Sequence, residues 1–114
     1  MPANETDFVT WLSKRLGVSL KAPRAPDWEL VGGRLLPGGT RPAALFLYQD
    51  AAGHRITLYC LPSETRPDMS MQFIREGSLG SYYWSDNGLG WAVSGELDRQ
   101  ALLSVATELY AALD

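Results

Sequence analysis

The feature that most constrains the fold is a series of strand-like runs joined by connections of only a few residues. The clearest pair of runs lies on either side of Asp86-Asn87-Gly88, where aromatic and apolar residues alternate with small or polar ones. Asn and Gly tolerate the positive φ angles of a two-residue turn, so this segment predicts a β-hairpin. Short connections cannot contain a parallel crossover, and the sheet is therefore expected to be antiparallel.

Strand patterns recur through the middle of the chain. The segments are 28–36, 43–49, 54–61, 69–76, 81–85 and 89–94. Gly32-Gly33 in the first segment predicts a β-bulge, because glycine inside a strand often marks an irregular pairing. Because neighbours in sequence usually pair, we expect an antiparallel meander of about six strands whose order is close to the sequence order.

Helical patterns flank the strands. Residues 4–17 predict an N-terminal helix with Asn4 as N-cap and with apolar side chains on one stripe, which include Phe8, Trp11, Leu12 and Leu16. Asp98 is the expected N-cap of a C-terminal helix whose stripe consists of Leu102, Val105, Ala106, Leu109 and Leu113. The chain therefore predicts one α+β domain over residues 1–114, with both helices on one sheet face and the other face partly exposed or curled on itself.

Composition and charge exclude several classes of function. The 114 residues are 46% hydrophobic and carry a formal net charge of −3, which is the composition of a globular domain. No run of Lys and Arg occurs, so we expect no nucleic-acid partner. No apolar run approaches the length of a membrane span, and the acidic first ten residues do not resemble a signal peptide.

The residues that usually carry chemistry are few and scattered. His54 is the only histidine and Cys60 the only cysteine, so neither a metal-ligand cluster nor a nucleophile–base pair can be assembled around them. His54 is expected to be solvated beside a turn, and Cys60 to be a small buried apolar side chain. Glu64 and Asp68 lie in a proline-containing loop, where solvated carboxylates are the default. We predict no catalytic residue, no cofactor, no metal and no enzymatic activity.

Aromatic residues are the conspicuous excess. Tyr82, Tyr83 and Trp84 are consecutive, and Trp91 lies across the predicted turn. In a strand, Tyr82 and Trp84 share one face and Tyr83 takes the other, while Trp84 and Trp91 can be cross-strand neighbours. Two interpretations remain open: these rings form the sheet core and its edge, or they form a surface for a partner or ligand.

Three stretches carry a resemblance to a known family. The longest is Tyr82-Tyr83-Trp84-Ser85-Asp86-Asn87-Gly88-Leu89-Gly90-Trp91-Ala92-Val93-Ser94-Gly95-Glu96-Leu97-Asp98, which continues into Leu102-Leu103. The others are Leu30 to Gly38, followed by Pro42-Ala43-Ala44 and Tyr48-Gln49-Asp50, and Phe8 to Gly17. Together they resemble the C-terminal region of the transmembrane anti-sigma factors of proteobacteria.

The resemblance implies a role in signalling outside the inner membrane. In such proteins a short cytoplasmic domain binds an extracytoplasmic-function sigma factor, and a single membrane helix leads to a periplasmic domain. This chain resembles only that last part, because it has neither a membrane segment nor the His-x3-Cys-x2-Cys zinc signature. Sigma-factor binding would therefore belong to a part of the protein outside this chain. The candidate relay residues are Phe8, Trp11, Leu12 and Leu16 of the first helix, which the resemblance places after the membrane span.

The implied role in signalling also predicts partners other than the sigma factor. A periplasmic signal protein, a protease or a small ligand could bias two states of the domain and change sigma-factor release. The alternative function is a stand-alone module that binds a small ligand or a peptide through the sheet face around Tyr83 and Trp91. A homodimer is a candidate assembly, because an unpaired edge strand without a blocking lysine invites pairing with a second copy.

Overall fold

The computed structural model describes residues 23–37, 42–62 and 67–113. These residues form six strands and one helix: β1 (Trp28–Leu36), β2 (Ala43–Asp50), β3 (Arg55–Pro62), β4 (Met69–Glu76), β5 (Leu79–Asp86), β6 (Leu89–Gly95) and the C-terminal helix (Arg99–Ala112). The α+β class and the antiparallel six-stranded sheet are confirmed. The predicted helix over residues 4–17 lies outside the described residues.

The strand order differs from the predicted meander. The sheet runs β1-β2-β3-β6-β5-β4, so two three-stranded meanders meet where β3 pairs with β6. The expectation that β3 and β4 are neighbours is wrong. β6 alternates buried with half-buried residues, whereas β4 has mostly exposed side chains. Placing β6 in the centre and β4 at the edge therefore removes more apolar surface from water.

Two local features that the sequence predicts are present in the structure. The pairing of β1 with β2 shifts register between Leu30 and Gly32, which confirms an irregular pairing next to the predicted position, Gly32-Gly33. Asp98 caps the C-terminal helix, since its Oδ1 accepts a 2.8 Å hydrogen bond from the backbone N–H of Ala101. Both features are set by residues close in sequence, which explains why the sequence predicts them.

The core lies on one face of the sheet. Phe46, Leu58 and Val93 come from β2, β3 and β6, occupy the same cross-strand row, and are fully buried. The C-terminal helix packs over β5 and β6 on this face and contributes Leu102, Val105, Ala106 and Leu109. Ala25, which precedes β1, belongs to the same core.

Candidate functional site

The hairpin of β5 and β6 holds all four aromatic residues of the predicted surface. Its two-residue turn has φ values of 51° at Asn87 and 77° at Gly88, the left-handed conformation that Asn and Gly accept with least strain. Trp84 pairs directly with Trp91 across the strands, and their ring centroids lie 6.4 Å apart with planes at 18°. The hairpin and this cross-strand pair are as the sequence predicts.

The four aromatic residues differ in burial: three are buried in the core and one is not. Tyr82, Trp84 and Trp91 are 4%, 2% and 6% exposed and point into the core, whereas half-buried Tyr83 lies on the opposite face. The four residues therefore do not form one partner surface. The proposed binding face around Tyr83 and Trp91 also needs correction, because alternation along the two strands puts these rings on opposite sides of the sheet.

The buried rings make specific contacts inside the domain. The Trp84 ring meets Tyr110 of the C-terminal helix edge-on, with centroids 5.3 Å apart. The Tyr82 ring lies 4.8 Å from Phe73 of β4, and its hydroxyl accepts a hydrogen bond from Arg99 Nε at 3.3 Å. These contacts join the edge strand, the hairpin and the helix, so the aromatic excess mainly holds the layers together.

Tyr83 belongs to a second, more open surface. Across the face opposite the helix, the cross-strand row is Leu45, Tyr59, Ala92 and Tyr83, and all four side chains are half-buried. Leu47 and Leu61 lie on the same face with comparable exposure. Of the predicted partner or ligand surface, only Tyr83 remains a candidate, and it lies on the sheet face opposite the helix. The relay residues Phe8, Trp11, Leu12 and Leu16 lie outside the described residues.

His54 closes the turn between β2 and β3. Its Nδ1 lies 2.9 Å from Asp50 Oδ2, and its backbone N–H donates to Asp50 Oδ1 at 2.8 Å. Lost hydration raises the pKa of the Asp50 carboxyl, but the hydrogen bonds from the His54 side chain and backbone outweigh this, so the pKa lies below its ordinary value. The side chain of His54 is 57% exposed. This pair fits a solvated turn that orders the hairpin.

Cys60 lies in the middle of the core. It pairs with Ala44 of β2 and Trp91 of β6, and it is fully buried. Burial raises the pKa of its thiol to about 12, so the sulfur stays protonated near neutral pH. A neutral and inaccessible thiol is a poor nucleophile, and this position fits a small apolar side chain.

Of the two carboxylates of the loop before β4, Glu64 and Asp68, the structure describes only Asp68. Exposed Asp68 accepts a 3.1 Å hydrogen bond from the backbone N–H of Asn87, which ties the loop to the hairpin turn. Glu64 lies outside the described residues. Within residues 23–37, 42–62 and 67–113, no group of three or more His, Cys, Asp or Glu side chains could hold a metal ion.

A groove lies beside the first residues of β1. It has a volume of about 310 Å³, with Trp28, Leu30 and Tyr48 among its lining residues together with Pro23, Arg24, Ala25 and Pro26. The Tyr48 hydroxyl donates a 2.8 Å hydrogen bond to the Pro23 carbonyl and fixes this wall. None of the four predicted aromatic residues lines it. The prolines and the tryptophan of residues 23–28 are the sequence feature that could have indicated this groove.

The described structure defines a class: an α+β domain with a six-stranded antiparallel sheet and a C-terminal helix on one face. Comparison with protein-family models and with curated proteins gives no match. The described helix lacks the length and hydropathy to cross a bilayer.

Proposed function

We propose that this chain is the extracytoplasmic regulatory domain of a membrane-anchored anti-sigma factor. The observation that carries the proposal is the resemblance over Tyr82 to Asp98. In the structure this stretch is one unit, comprising most of β5, the Asn87-Gly88 turn, β6 and the N-cap of the C-terminal helix. The resemblance thus covers the part of the chain that joins the sheet to the helix.

The proposed mechanism works through contacts and stability. A signal acts by binding two states of the domain with different affinities. Local opening of the domain would expose backbone to a periplasmic protease, and cleavage would change release of the sigma factor bound on the cytoplasmic side. Residues that hold the aromatic hairpin to the helix, such as Trp84 and Tyr110, set the free energy of such an opening.

Location is the first testable consequence. In cells that express the natural full-length protein, an antibody to this domain should detect it in the membrane fraction. Protease added to spheroplasts should then degrade the domain, while a cytoplasmic marker stays intact. A domain that stays protected in intact spheroplasts and becomes sensitive only after lysis would contradict the proposal.

The groove at β1 favours a second candidate, a module that binds a small apolar ligand. Its volume of about 310 Å³ is at the lower end of the range for ligand sites, and Trp28 and Tyr48 supply aromatic walls. A ligand seated there would change the fluorescence of Trp28. A ligand screen read by tryptophan fluorescence tests binding in this groove, and the Trp28→Phe variant shows which part of the signal comes from Trp28. The spheroplast assay tests the regulatory role separately.

A further inference from the structure

β4 is an edge strand whose regular part is short. It pairs with β5 on one side, and no described strand lies on its other side. The register is irregular between Met69 and Gln72 and regular from Gln72 to Glu76. The irregular part disturbs the spacing of backbone groups along the strand, so residues 72–76 are the regular segment that can accept another strand.

Among the described residues, no backbone group pairs with the outer side of this segment. A two-residue turn joins Glu76 to Leu79, which makes this pair the hydrogen-bonded pair next to the turn. Hydrogen bonding to β5 then alternates along the strand, and the N–H and C=O groups of Phe73 and Arg75 point away from the sheet. Two residues with outward-facing groups provide four backbone hydrogen bonds for a new antiparallel neighbour.

Ile74 stands between these two residues and is 50% exposed, the highest exposure among the described large hydrophobic side chains. It occupies the centre of the regular segment, two residues from each end. If a second copy pairs antiparallel about this point, Ile74 faces Ile74 as a non-hydrogen-bonded pair, in which side chains come closest. Each exposed isoleucine thereby covers the other.

The remaining pairs in this register are also compatible. Phe73 faces Arg75 of the second copy on one side of the sheet, and Gln72 faces Glu76 on the other. A register centred on Arg75 would place two guanidinium groups opposite each other, which is unfavourable. A register centred on Phe73 would extend into the irregular part of β4. The Ile74-centred register is therefore favoured, because it avoids facing like charges and stays within the regular part of β4.

The opposite edge of the sheet is less suitable for the same contact. In β1 the regular run after the bulge covers Gly32 to Leu36 and is centred on exposed Arg34. Self-pairing about that centre would place like charges opposite each other. Gly32 and Gly33 would also offer no side chains to cover the partner.

We propose that two copies of this chain associate through β4, antiparallel and centred on Ile74, to form a continuous twelve-stranded sheet. The contact is isologous, so it closes at the dimer. It is small, and we expect a weak association with a dissociation constant on the order of 100 μM. This inference is independent of the proposed function, which a monomer would leave intact.

Cross-linking tests the register. Cα atoms in a non-hydrogen-bonded antiparallel pair lie about 4.5 Å apart, within the range that a disulfide spans. Ile74→Cys should therefore form a covalent dimer under mild oxidation, about tenfold faster than Leu79→Cys, a control with 44% exposure on the same face but in β5. Buried Cys60 does not compete. Equal rates for the two variants, or faster cross-linking of Arg34→Cys, would overturn the proposal.

Sedimentation tests the association without a cross-link. The wild type and Leu79→Lys should show the same concentration-dependent increase in weight-average mass. Ile74→Lys, which places two ammonium groups opposite each other, should raise the dissociation constant by roughly tenfold. Circular dichroism spectra establish that each variant is folded. A wild type that stays monomeric up to about ten times the expected dissociation constant, or an Ile74→Lys variant that dimerises like the wild type, contradicts the proposed contact.

Discussion

Trp84→Ala is expected to lower the free energy of unfolding by about 3–5 kcal/mol, the usual cost of removing a large buried aromatic side chain. Trp84 is 2% exposed, stacks on Trp91 and meets Tyr110 of the C-terminal helix. Alanine would leave a cavity between the sheet and the helix and remove both ring contacts. Urea denaturation followed by far-ultraviolet circular dichroism measures the loss.

Tyr83→Ala is the matched control, because it removes the neighbouring aromatic side chain from the same strand. Tyr83 is half-buried on the opposite face, and its removal should cost about 1 kcal/mol, the typical value for a point substitution. If both substitutions cost the same, Trp84 does not act as the contact between sheet and helix. If Trp84→Ala is nearly neutral, Trp84 is a surface residue and the described core is wrong.

Gly95→Ala is expected to destabilise the domain by about 1–3 kcal/mol, the usual cost of overpacking a core. A Cβ atom at Gly95 would lie 2.8 Å from Ile56 Cγ2 and 3.2 Å from the carbonyl oxygen of Arg55. Ile56 is 1% exposed and β-branched, so its Cγ2 can turn away only by a change of χ1 inside the core. The strands β3 and β6 would have to separate locally, and the midpoint of the urea transition should fall.

Gly32→Ala provides the comparison for Gly95→Ala. An added Cβ at Gly32 would meet no atom within 4 Å, so its effect should stay within about 0.5 kcal/mol. Both substitutions add one methyl group to a strand glycine and differ only in what surrounds it. A Gly95→Ala protein as stable as Gly32→Ala would show that β3 and β6 are not packed as closely as described.

The sequence predicts those parts of the fold that depend on neighbouring residues. The Asn87-Gly88 turn, the Asp98 cap and the irregularity near Gly32 each follow from the conformations that a few side chains permit. Alternation in β5 likewise places Tyr82 and Trp84 together on one face. These features need no knowledge of which strand lies beside which.

The strand order, which depends on contacts between distant residues, could not be predicted from the sequence. The sequence between β3 and β4 does not tell whether β4 pairs with β3 or lies at the far edge of the sheet. In the structure the more buried β6 lies beside β3, and the more exposed β4 lies at the edge. Because β6 lies in the centre of the sheet, Trp91 is paired with Cys60 and buried in the core, and it cannot serve as a surface residue. The exposed position of Ile74 at an edge has the same origin.

The proposed regulatory role depends on the stability of the domain, and three positions allow this dependence to be tested. Trp84 and Gly95 lie in the stretch Tyr82 to Asp98 on which the proposal rests, and Gly32 lies in another of the three resembling stretches, Leu30 to Gly38. Substitutions at the two glycines therefore allow the stability of the domain to be altered in the full-length protein without changing the segments that the proposal assigns to the membrane and to the sigma factor.

The most direct test of the proposed function is RNA sequencing of a strain that lacks the gene, complemented with the full-length wild type, Gly95→Ala or Gly32→Ala. Deletion should raise the transcripts of one sigma-dependent promoter set, and the wild type and Gly32→Ala should return them to the low level. Gly95→Ala should leave them elevated, because a destabilised domain opens more often and releases the sigma factor. A deletion strain with unchanged transcripts would contradict the proposal that this chain belongs to an anti-sigma factor.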